Sequence, residues 1–280
     1  MPVDLHSHST FSDGSATPTE LVENAARIGL STLALTDHDT LEGIDEATRA
    51  AADFGVDLIP GTELSLQNKW GGMHLVVLWL GNTDGPLQGR LAELQEGRGS
   101  RNQSIVDELT RLGMPITLSE VEVVAGSGSV GRPHIAEVMV RHGYVPDIKT
   151  AFDLWIGNHA PAYAKRKALT PEEGIGLAIE SGAVPVLAHP HTLGINRSYE
   201  MAEVLDELKS YGLVGLEAAY PTYRQHERDG YADLARRFGL IPSGGSDYHG
   251  TFKAGLELGI GYGDLVVLES VRDELLEARR

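Results

Sequence analysis

Short apolar runs alternate with amphipathic segments through most of the chain, as expected where buried strands alternate with surface helices. The residues Thr17–Glu20 form a capping box with proline at the first helical position, which predicts a helix over Leu21–Ile28 that ends at Gly29. The apolar pattern places the next elements in this order: a strand at Thr32–Leu35, a helix at Leu41–Phe54, strands at Val56–Leu64 and Met73–Leu80, and strands near Ala183, Val214 and Leu240. This alternation indicates an α/β fold with a mostly parallel sheet, here closed as a barrel.

The alternation stops in the middle of the chain. Three helical patterns follow one another there, at Ile105–Leu112, Ile135–His142 and Ile148–Trp155. A Gly- and Ser-rich stretch, Gly126–Ser129, separates the first two, and a second capping box at Thr170–Glu173 restarts the barrel helices. We therefore predict a barrel domain formed by residues 1–86 and 169–280, and an inserted, mostly helical subdomain of residues 87–168 that caps the substrate.

The composition narrows the classes of function open to this chain of 280 residues. A formal net charge of -17 disfavours a long nucleic acid held in a basic groove, because phosphate contacts need Lys and Arg. Divalent ions bound by some of the carboxylates would invert the local field, so a phosphate-bearing substrate stays open. The absence of cysteine excludes disulfides, thiolate zinc sites and cysteine nucleophiles. No secretory signal pattern and no apolar stretch near the ~20 residues of a membrane span are found, so we predict a cytoplasmic protein.

Two histidines near the start of the chain, His6 and His8, form the first candidate for a metal site. They fall in a predicted strand, where side chains two residues apart point to the same face, so both imidazoles can reach one ion. Such a pair alone is a weak indication, because neighbouring histidines also occur on surface strands. Asp13 follows closely, and histidine combined with carboxylate suits zinc, manganese or iron.

Further histidines and carboxylates stand at the ends of predicted strands, where α/β enzymes hold their sites. They lie in Thr36–Asp39, in Gly61–Glu63 and in Gly245–His249, with single histidines before and after apolar runs at positions 74 and 189. The candidate ligands are therefore His6, His8, Asp13, His38, Glu63, His74, His189, Asp247 and His249. Their placement at strand ends predicts a single metal centre.

The ordered motifs DLHSHSTFSDG, TDHD, GTE, LAHP and GSDYHG, together with His74, resemble those of the PHP superfamily of metal-dependent phosphoesterases. The resemblance spans the whole barrel and implies a distorted (β/α)7 TIM-like fold. The segments GRPHIAEVM and AFDLWIGNHAPAYAK further resemble the branch that acts on nucleoside 3',5'-bisphosphates and on the ends of short RNA. The resemblance therefore implies a metal-dependent phosphoric ester hydrolase.

The resemblance also implies how the ions are shared. One ion is expected at His6, His8, Glu63 and Asp247, a second at Glu63, His74 and His189, and a third at Asp13, His38 and His249. Because some relatives in this branch hold two ions, we expect two or three divalent ions, Mn2+, Fe2+ or Zn2+. A metal-bound hydroxide held by Glu63 is the expected nucleophile, attacking the 3'-phosphorus in line. No covalent intermediate on serine or aspartate is required.

Candidate substrate residues lie in the predicted insertion. Arg98 and Arg101 are phosphate clamps by resemblance, or otherwise solvated helix charges. Arg132 is expected to hold phosphate oxygens, and His134 could act as an acid on the leaving 3'-oxygen, grip phosphate, or cap the following helix. The basic run Lys165–Lys167 could attract a 5'-phosphate or flank a loop. His191 could contact the substrate, and Tyr220, Tyr223 and Tyr248 could stack a base or pack at the rim of the barrel.

Several functions fit these residues. The leading prediction is a phosphatase that removes the 3'-phosphate of nucleoside 3',5'-bisphosphates, and the close alternative is a 5'-to-3' exoribonuclease on short 5'-phosphorylated RNA. Histidinol-phosphate phosphatase shares the barrel, but the insertion disfavours it, and the intact ligand set disfavours a non-catalytic, metal-stabilised PHP barrel. The expected partner is a small phosphorylated nucleotide or a short RNA end, with no long nucleic acid, no membrane and no obligate protein partner.

Overall fold

A computed structural model describes residues 2–70, 72–81, 84–126, 130–165, 168–195 and 197–279. Within these ranges, seven strands form one sheet whose spatial order follows the sequence. The strands are β1 (Val3–Asp4), β2 (Thr32–Leu35), β3 (Asp57–Leu66), β4 (Met73–Leu78), β5 (Val184–Ala188), β6 (Gly215–Ala219) and β7 (Ile241–Gly244). The predicted α/β barrel is confirmed, with strand bounds that differ from the predicted ones by a few residues.

Backbone hydrogen bonds bring the two outer strands together. Asp247 N, beyond β7, donates to His6 O at 2.8 Å, and His8 N donates to Tyr248 O at 2.9 Å. Ser7 and Tyr248 form a parallel bridge at the same place. This contact folds the sheet into a distorted TIM-like barrel, and it places the segments after β1 and β7 side by side.

Strand β4 runs against the direction of the other strands. It pairs antiparallel with both β3 and β5, whereas β1 to β3 and β5 to β7 pair in parallel. The two consecutive strands predicted here are confirmed, and the short link between them is a reversal rather than a helical crossover, so β4 is the exception in the mostly parallel sheet. His74, near the start of β4, pairs with Ala188 at the end of β5. The reversed strand therefore delivers its histidine to the face where the parallel strands end.

The helices follow local start and stop signals. They are α1 (Pro18–Ile28), α2 (Ile44–Phe54), α3 (Gln88–Arg111), α4 (Leu118–Ala125), α5 (Arg132–Arg141), α6 (Ile148–Ala151, continued by a π-helix over Phe152–Ile156), α7 (Pro171–Glu180), α8 (Ser198–Tyr211), α9 (Gln225–Arg237) and α10 (Glu269–Glu277). As predicted, Thr17 Oγ1 accepts from Glu20 N at 3.2 Å, and Gly29 ends α1 with φ of 79°. Helix α2 begins later than predicted because residues 41–43 form a turn. Among the described helices, none is both long enough and apolar enough to cross a bilayer.

The helices α3 to α6 carry their own apolar cluster. Helix α3 is much longer than the predicted Ile105–Leu112, because its first turns are polar and contain glycines that weaken the helical pattern. Leu91 and Leu94 pack into the large cluster of the barrel, whereas Ile105 and Leu109 pack into the separate cluster of α3 to α6. The first half of helix α3 therefore packs on the barrel, and its second half packs on helices α4 to α6.

Helices α3 and α5 meet the barrel at the end where the parallel strands finish. A Cβ on Gly131, just before α5, would lie 2.8 Å from the Cβ of Asp13, so only glycine permits this approach. Arg98 on α3 donates to Asp39 Oδ2 at 2.7 Å, just beyond β2. These two contacts place the insertion beside the predicted ligands.

The close approach of β7 to β1 leads to a prediction about stability. A Cβ on Gly245 would lie 2.5 Å from both the backbone N and the Cβ of His6, so the backbone would have to move. We expect Gly245→Ala to lower the free energy of unfolding by about 1–3 kcal/mol, measured by urea denaturation. Gly176→Ala in α7 is the matched control, because a Cβ there meets nothing within 4 Å, and it should stabilise by about 0.5–1 kcal/mol. An unchanged unfolding midpoint for Gly245→Ala would contradict this close packing.

Candidate metal centre

The end of the barrel where the parallel strands finish gathers the predicted ligands. His6 and His8 follow β1, are almost fully buried, and have ring centroids 5.1 Å apart. They share one face because alternate residues of an extended chain point the same way. Beside them lie Asp13, His38, Glu63, His74, His189, Asp247 and His249. The structure thus brings all nine candidate ligands to one place.

The ligand atoms form overlapping groups. Among the described residues the groups are His6, His8, Glu63 and Asp247; His8, Asp13, His38 and His249; and His38, Glu63 and His74, with the atoms of each group within 4.8 Å of one another. His189 is in none of these groups, but its Nε2 lies 2.9 Å from Glu63 Oε1. The first group equals one predicted ion set. The second group adds His8 to the predicted set of Asp13, His38 and His249, and the third has His38 where the prediction has His189. Mixed imidazole and carboxylate groups of this kind fit divalent transition metals.

Glu63, at the carboxyl half of β3, occupies the centre of the cluster. Its Oε1 lies 2.8 Å from His74 Nδ1, and its Oε2 lies 3.3 Å from His6 Nε2 and 3.2 Å from His8 Nε2. Burial disfavours the charge on this carboxylate, but the surrounding imidazoles, His38 first among them, outweigh burial and hold its pKa well below the usual range. An ionised carboxylate that faces imidazoles through both oxygens is well placed to bridge two cations.

The buried carboxylates favour the protonated form of two histidines of the cluster. Burial opposes the charge on His8, but hydrogen bonds to Asp247 and Glu63 prevail and raise the pKa of His8 to about 9. Burial also opposes the charge on His6, yet Glu63, Glu217 and Asp247 together hold its pKa well above the ordinary value. Metal binding needs neutral imidazole, so a bound cation would take the place of these protons. The electrostatics of the cluster are therefore those of a site for positive charge.

Backbone strain is concentrated at the same site. Asp39, His189 and Asp247 have φ of 57°, 25° and 50°, in the left-handed region that L-residues avoid. Such residues cost about 1–3 kcal/mol each and persist where the surroundings hold them. His189 N donates to Glu217 Oε2 at 2.6 Å, and Asp247 N donates to His6 O at 2.8 Å. The strained backbone directs two of the candidate ligands into the cluster.

Sequence reasoning missed Glu217, a buried carboxylate in β6. It accepts from His6 Nδ1 at 3.0 Å and from the backbone N of His189 at 2.6 Å. The first bond leaves His6 Nε2 facing the cluster, an arrangement common where a carboxylate orients a metal-binding histidine. A signal was present in the sequence, since a lone glutamate within the apolar run of Gly215–Ala219 must find a partner when buried.

Two further buried aspartates hold the loops of the site. Asp4 accepts from the backbone N of Ser246 at 2.9 Å and so ties β1 to the segment that carries Asp247. Asp37 accepts from Ser9 N at 2.7 Å and from Ser12 Oγ at 2.6 Å, which orders the loop before Asp13. Neither aspartate belongs to a ligand group among the described residues. Their contacts support the ligands instead.

The tyrosines near the site are held by polar contacts. Tyr220 OH donates to Asp247 Oδ2 at 2.8 Å, and Lys253 forms an ion pair with the same carboxylate. Tyr223 OH lies 2.9 Å from His191 Nδ1, which places His191 on the tyrosine rather than among the ligands. These side chains extend the hydrogen-bond network of the cluster.

A cavity of about 370 Å³ opens from the cluster toward the insertion. Its lining includes the candidate ligands Asp13, His38, His74 and His249, and the basic side chains Arg98, Arg101, Arg132, Lys149 and Lys253. All three arginines predicted to contact phosphate therefore face the same space as the cluster. Lys165 lines a separate shallow depression beside Arg101, whereas Arg166 and Lys167 lie outside the described residues.

His134 sits beside this cavity and is almost fully buried. Its Nδ1 accepts from Gly131 N at 3.0 Å, so the predicted capping role is present and the ring proton lies on Nε2. Its ring packs at 76° to that of Phe252, with centroids 5.2 Å apart. Burial lowers the pKa of His134, which makes it a neutral hydrogen-bond donor.

Comparison with known proteins identifies the family. The sequence pattern of the PHP domain matches residues 4–88. The chain is 35% identical over 257 residues to a 5'-3' exoribonuclease of Haemophilus influenzae, covering 91% of this chain and 92% of that protein. It is 31% identical over 260 residues to a 3',5'-nucleoside bisphosphate phosphatase of Chromobacterium violaceum, covering 92% of this chain and 90% of that protein. A crystal structure from Bifidobacterium adolescentis, described as a metal-dependent phosphoesterase, matches with a TM-score of 0.88 at 29% identity, covering 100% of this chain and 98% of that one. Sequence, fold and cluster agree, and this chain belongs to the PHP family of metal-dependent phosphoesterases.

Proposed function

We propose that this phosphoesterase removes the 3'-phosphate from nucleoside 3',5'-bisphosphates. The observation that carries the proposal is the cavity of about 370 Å³ that joins a buried imidazole and carboxylate cluster to a wall of basic side chains. A small substrate with two phosphates needs one region for the phosphate that reacts and another for the phosphate that stays. The cluster can serve the first, and the basic side chains can serve the second. The similarity to the Chromobacterium violaceum phosphatase supports the same class of substrate.

The second candidate is a 5'-to-3' exoribonuclease on short 5'-phosphorylated RNA. The similarity to the Haemophilus influenzae exoribonuclease favours it. Both reactions break the bond between a 3'-oxygen and phosphorus, and both release a nucleoside 5'-monophosphate. They differ only in whether the phosphorus carries a further nucleotide, so one cluster can serve either reaction.

We propose that two or three divalent ions, Mn2+, Fe2+ or Zn2+, occupy the cluster. The first would be held by His6, His8, Glu63 and Asp247, the second by Glu63, His74 and His189, and the third by Asp13, His38 and His249. When bound, such ions neutralise phosphate oxygens and activate water as a nucleophile. The ligand types support this proposal. The three sets consist of imidazoles and carboxylates alone, so they need no thiolate, and the chain has no cysteine.

The protein's own side chains would orient the substrate. Arg98 Nη2 donates to Asp39 Oδ2 at 2.7 Å, and this bond fixes the direction of the guanidinium in the cavity wall. Arg98 and Arg132 suit phosphate oxygens because a guanidinium presents paired donors. His134 carries its proton on Nε2, and we propose that it donates a hydrogen bond to the leaving 3'-oxygen or to phosphate.

The insertion would select the substrate while the barrel carries out the hydrolysis. Arg98, Arg101 and Arg132 come from residues 87–168, and the cluster comes from residues 1–86 and 169–280. The cavity lies in the size range of pockets for small ligands, which supports a mononucleotide or a single RNA end as the partner. A cytoplasmic location and the absence of an obligate protein partner stay predictions from the sequence.

The direct test is phosphate release by manganese-loaded protein. We expect fast release from adenosine 3',5'-bisphosphate, with 5'-AMP as product, and little turnover of 5'-AMP, histidinol phosphate or a 5'-phosphorylated RNA pentamer. Preferential shortening of the pentamer would make the protein an exoribonuclease instead. Preferential hydrolysis of histidinol phosphate would contradict both the phosphatase and the exoribonuclease proposals.

Glu63→Gln tests the metal assignment. The amide removes the negative charge at the point where His6, His8 and His74 converge, so the shared position loses its main attraction for cations. We expect the affinity for Mn2+ to fall by more than about 100-fold, beyond the usual effect of an outer-shell change, and phosphate release to fall to background. The matched control is Glu23→Gln on the exposed side of α1, which should keep full metal content by elemental analysis. Full activity of metal-free Glu63→Gln would exclude a metal mechanism.

Glu217→Gln tests whether the buried carboxylate of β6 orients His6. The amide oxygen can still accept from His6 Nδ1 or from His189 N, but it carries no charge. We expect Mn2+ affinity to fall by about 10- to 100-fold in titration calorimetry, with a folded protein by circular dichroism. Restored turnover at high Mn2+ would confirm a positioning role. Unchanged Mn2+ affinity would show that His6 is held without this bond.

A further inference from the structure

Two phenylalanine rings line the cavity and have no role in the chemistry described so far. Phe252 ends the short 3-10 turn that directly follows His249, so it is supplied by the barrel. Phe152 begins the π-helix of the insertion, and π-helical turns are frequent at functional sites. Both side chains are only partly buried. The cavity therefore has aromatic surface from both parts of the protein, next to its basic side chains.

The ring of Phe252 lies apart from the apolar core. It belongs to none of the apolar clusters found in the described part of the chain, and its ring contact is with His134. Leaving apolar surface partly accessible forgoes the gain from burial, which is about 25 cal/mol per Å². A ligand that covers the ring would recover that gain.

Phe152 has one side on the insertion's apolar cluster and lies beside the substrate arginine. The guanidinium of Arg132 stands over the ring, with Cζ 5.6 Å from the centroid. An arginine that contacts both an aromatic ring and the cavity can bind phosphate while its plane extends an apolar, π-rich wall. The phosphate-binding side chain and the aromatic surface are thus adjacent.

We propose that Phe252 and Phe152 bind the nucleobase of the substrate by stacking. This inference rests on the proposed function and deepens it, because it names the base, rather than the phosphates alone, as a recognised part of the substrate. The cluster and the basic side chains account for two phosphates, and a flat aromatic group is the part of a nucleotide that they leave unbound. Stacking uses the π-face that every base has, so the site would accept any base with little preference.

The tyrosines suggested by the sequence are less suited to this task. Tyr220 is committed to Asp247 and Tyr223 to His191 through their hydroxyl groups. The lining of the cavity that opens toward the basic side chains includes neither of them, and it does not include Tyr248. The two phenylalanines do line it, so they are the better candidates for contact with a base.

The test compares substrates with and without a base on the manganese-loaded enzyme. The pair is adenosine 3',5'-bisphosphate and the same sugar bisphosphate lacking the base. We expect wild type to prefer the nucleotide, and Phe252→Leu to lower the ratio of the two kcat/KM values by about 5- to 150-fold, mainly through KM. Phe152→Leu should lower the same ratio. Phe252→Tyr should keep the ratio of wild type, because a tyrosine ring also stacks.

The control is Phe54→Leu, the same chemical change at the exposed end of α2, which should leave the ratio unchanged. Metal content and circular dichroism of each variant separate a loss of stacking from a loss of fold. An unchanged ratio in both Phe252→Leu and Phe152→Leu would overturn the proposal. An equal loss on both substrates would also overturn it, because the rings would then serve the phosphates or the fold.

Binding measurements separate this inference from the proposed function. Calorimetry on the manganese-loaded enzyme compares 5'-AMP with ribose 5-phosphate, which carries a hydroxyl group at C1 in place of the base. If wild type does not hydrolyse the bisphosphate, the proposed function fails, but tighter binding of 5'-AMP that is lost in Phe252→Leu would still support the base site. Equal affinity of wild type for both compounds would overturn the base site even where hydrolysis is fast.

Discussion

The carboxylate of Glu63, buried among imidazoles, is the interaction on which the rest of the structure depends. An uncompensated buried charge costs several kcal/mol, so this carboxylate is tolerated only where opposite charge surrounds it. The imidazoles that face it come from distant parts of the chain: His6 follows β1, His74 starts β4 and His189 follows β5. The site is therefore complete only in the closed barrel, since these strands must meet for the carboxylate to gain its imidazole partners.

The direction of β4 follows from the same requirement. With β4 antiparallel to β3 and β5, its first residues lie where its neighbours end, and His74 reaches Glu63 Oε1 at 2.8 Å. A parallel β4 would place the start of the strand at the opposite end of the barrel. The strained backbone at His189 and Asp247 serves the same cluster, because it aims side chains inward at positions where a relaxed strand end would continue outward.

The barrel and the meeting of the candidate ligands could be predicted because most of the ligands stand directly before or after an apolar run, and Asp13 follows the His6 and His8 pair closely. Strand ends converge in a barrel, so order along the chain already implies proximity. The reversal of β4 could not be predicted in this way, since an apolar strand reads the same in both directions. Glu217 was missed because its role depends on a partner more than 200 residues away, and α3 was underestimated because its polar turns are stabilised by packing on the barrel rather than by their own pattern.

The overall acidity of the chain and the basic cavity are consistent with each other. A net charge of -17 describes the whole chain, whereas a phosphate inside the cavity would have Arg98, Arg101 and Arg132 close by and would be screened by solvent from the carboxylates of the outer surface. Under the proposed function, the acidic exterior would repel long polyanions, whereas the arginines of the cavity would attract a phosphate that enters it. Charge would then favour a substrate that leaves the solvent over one that must lie along the outer surface.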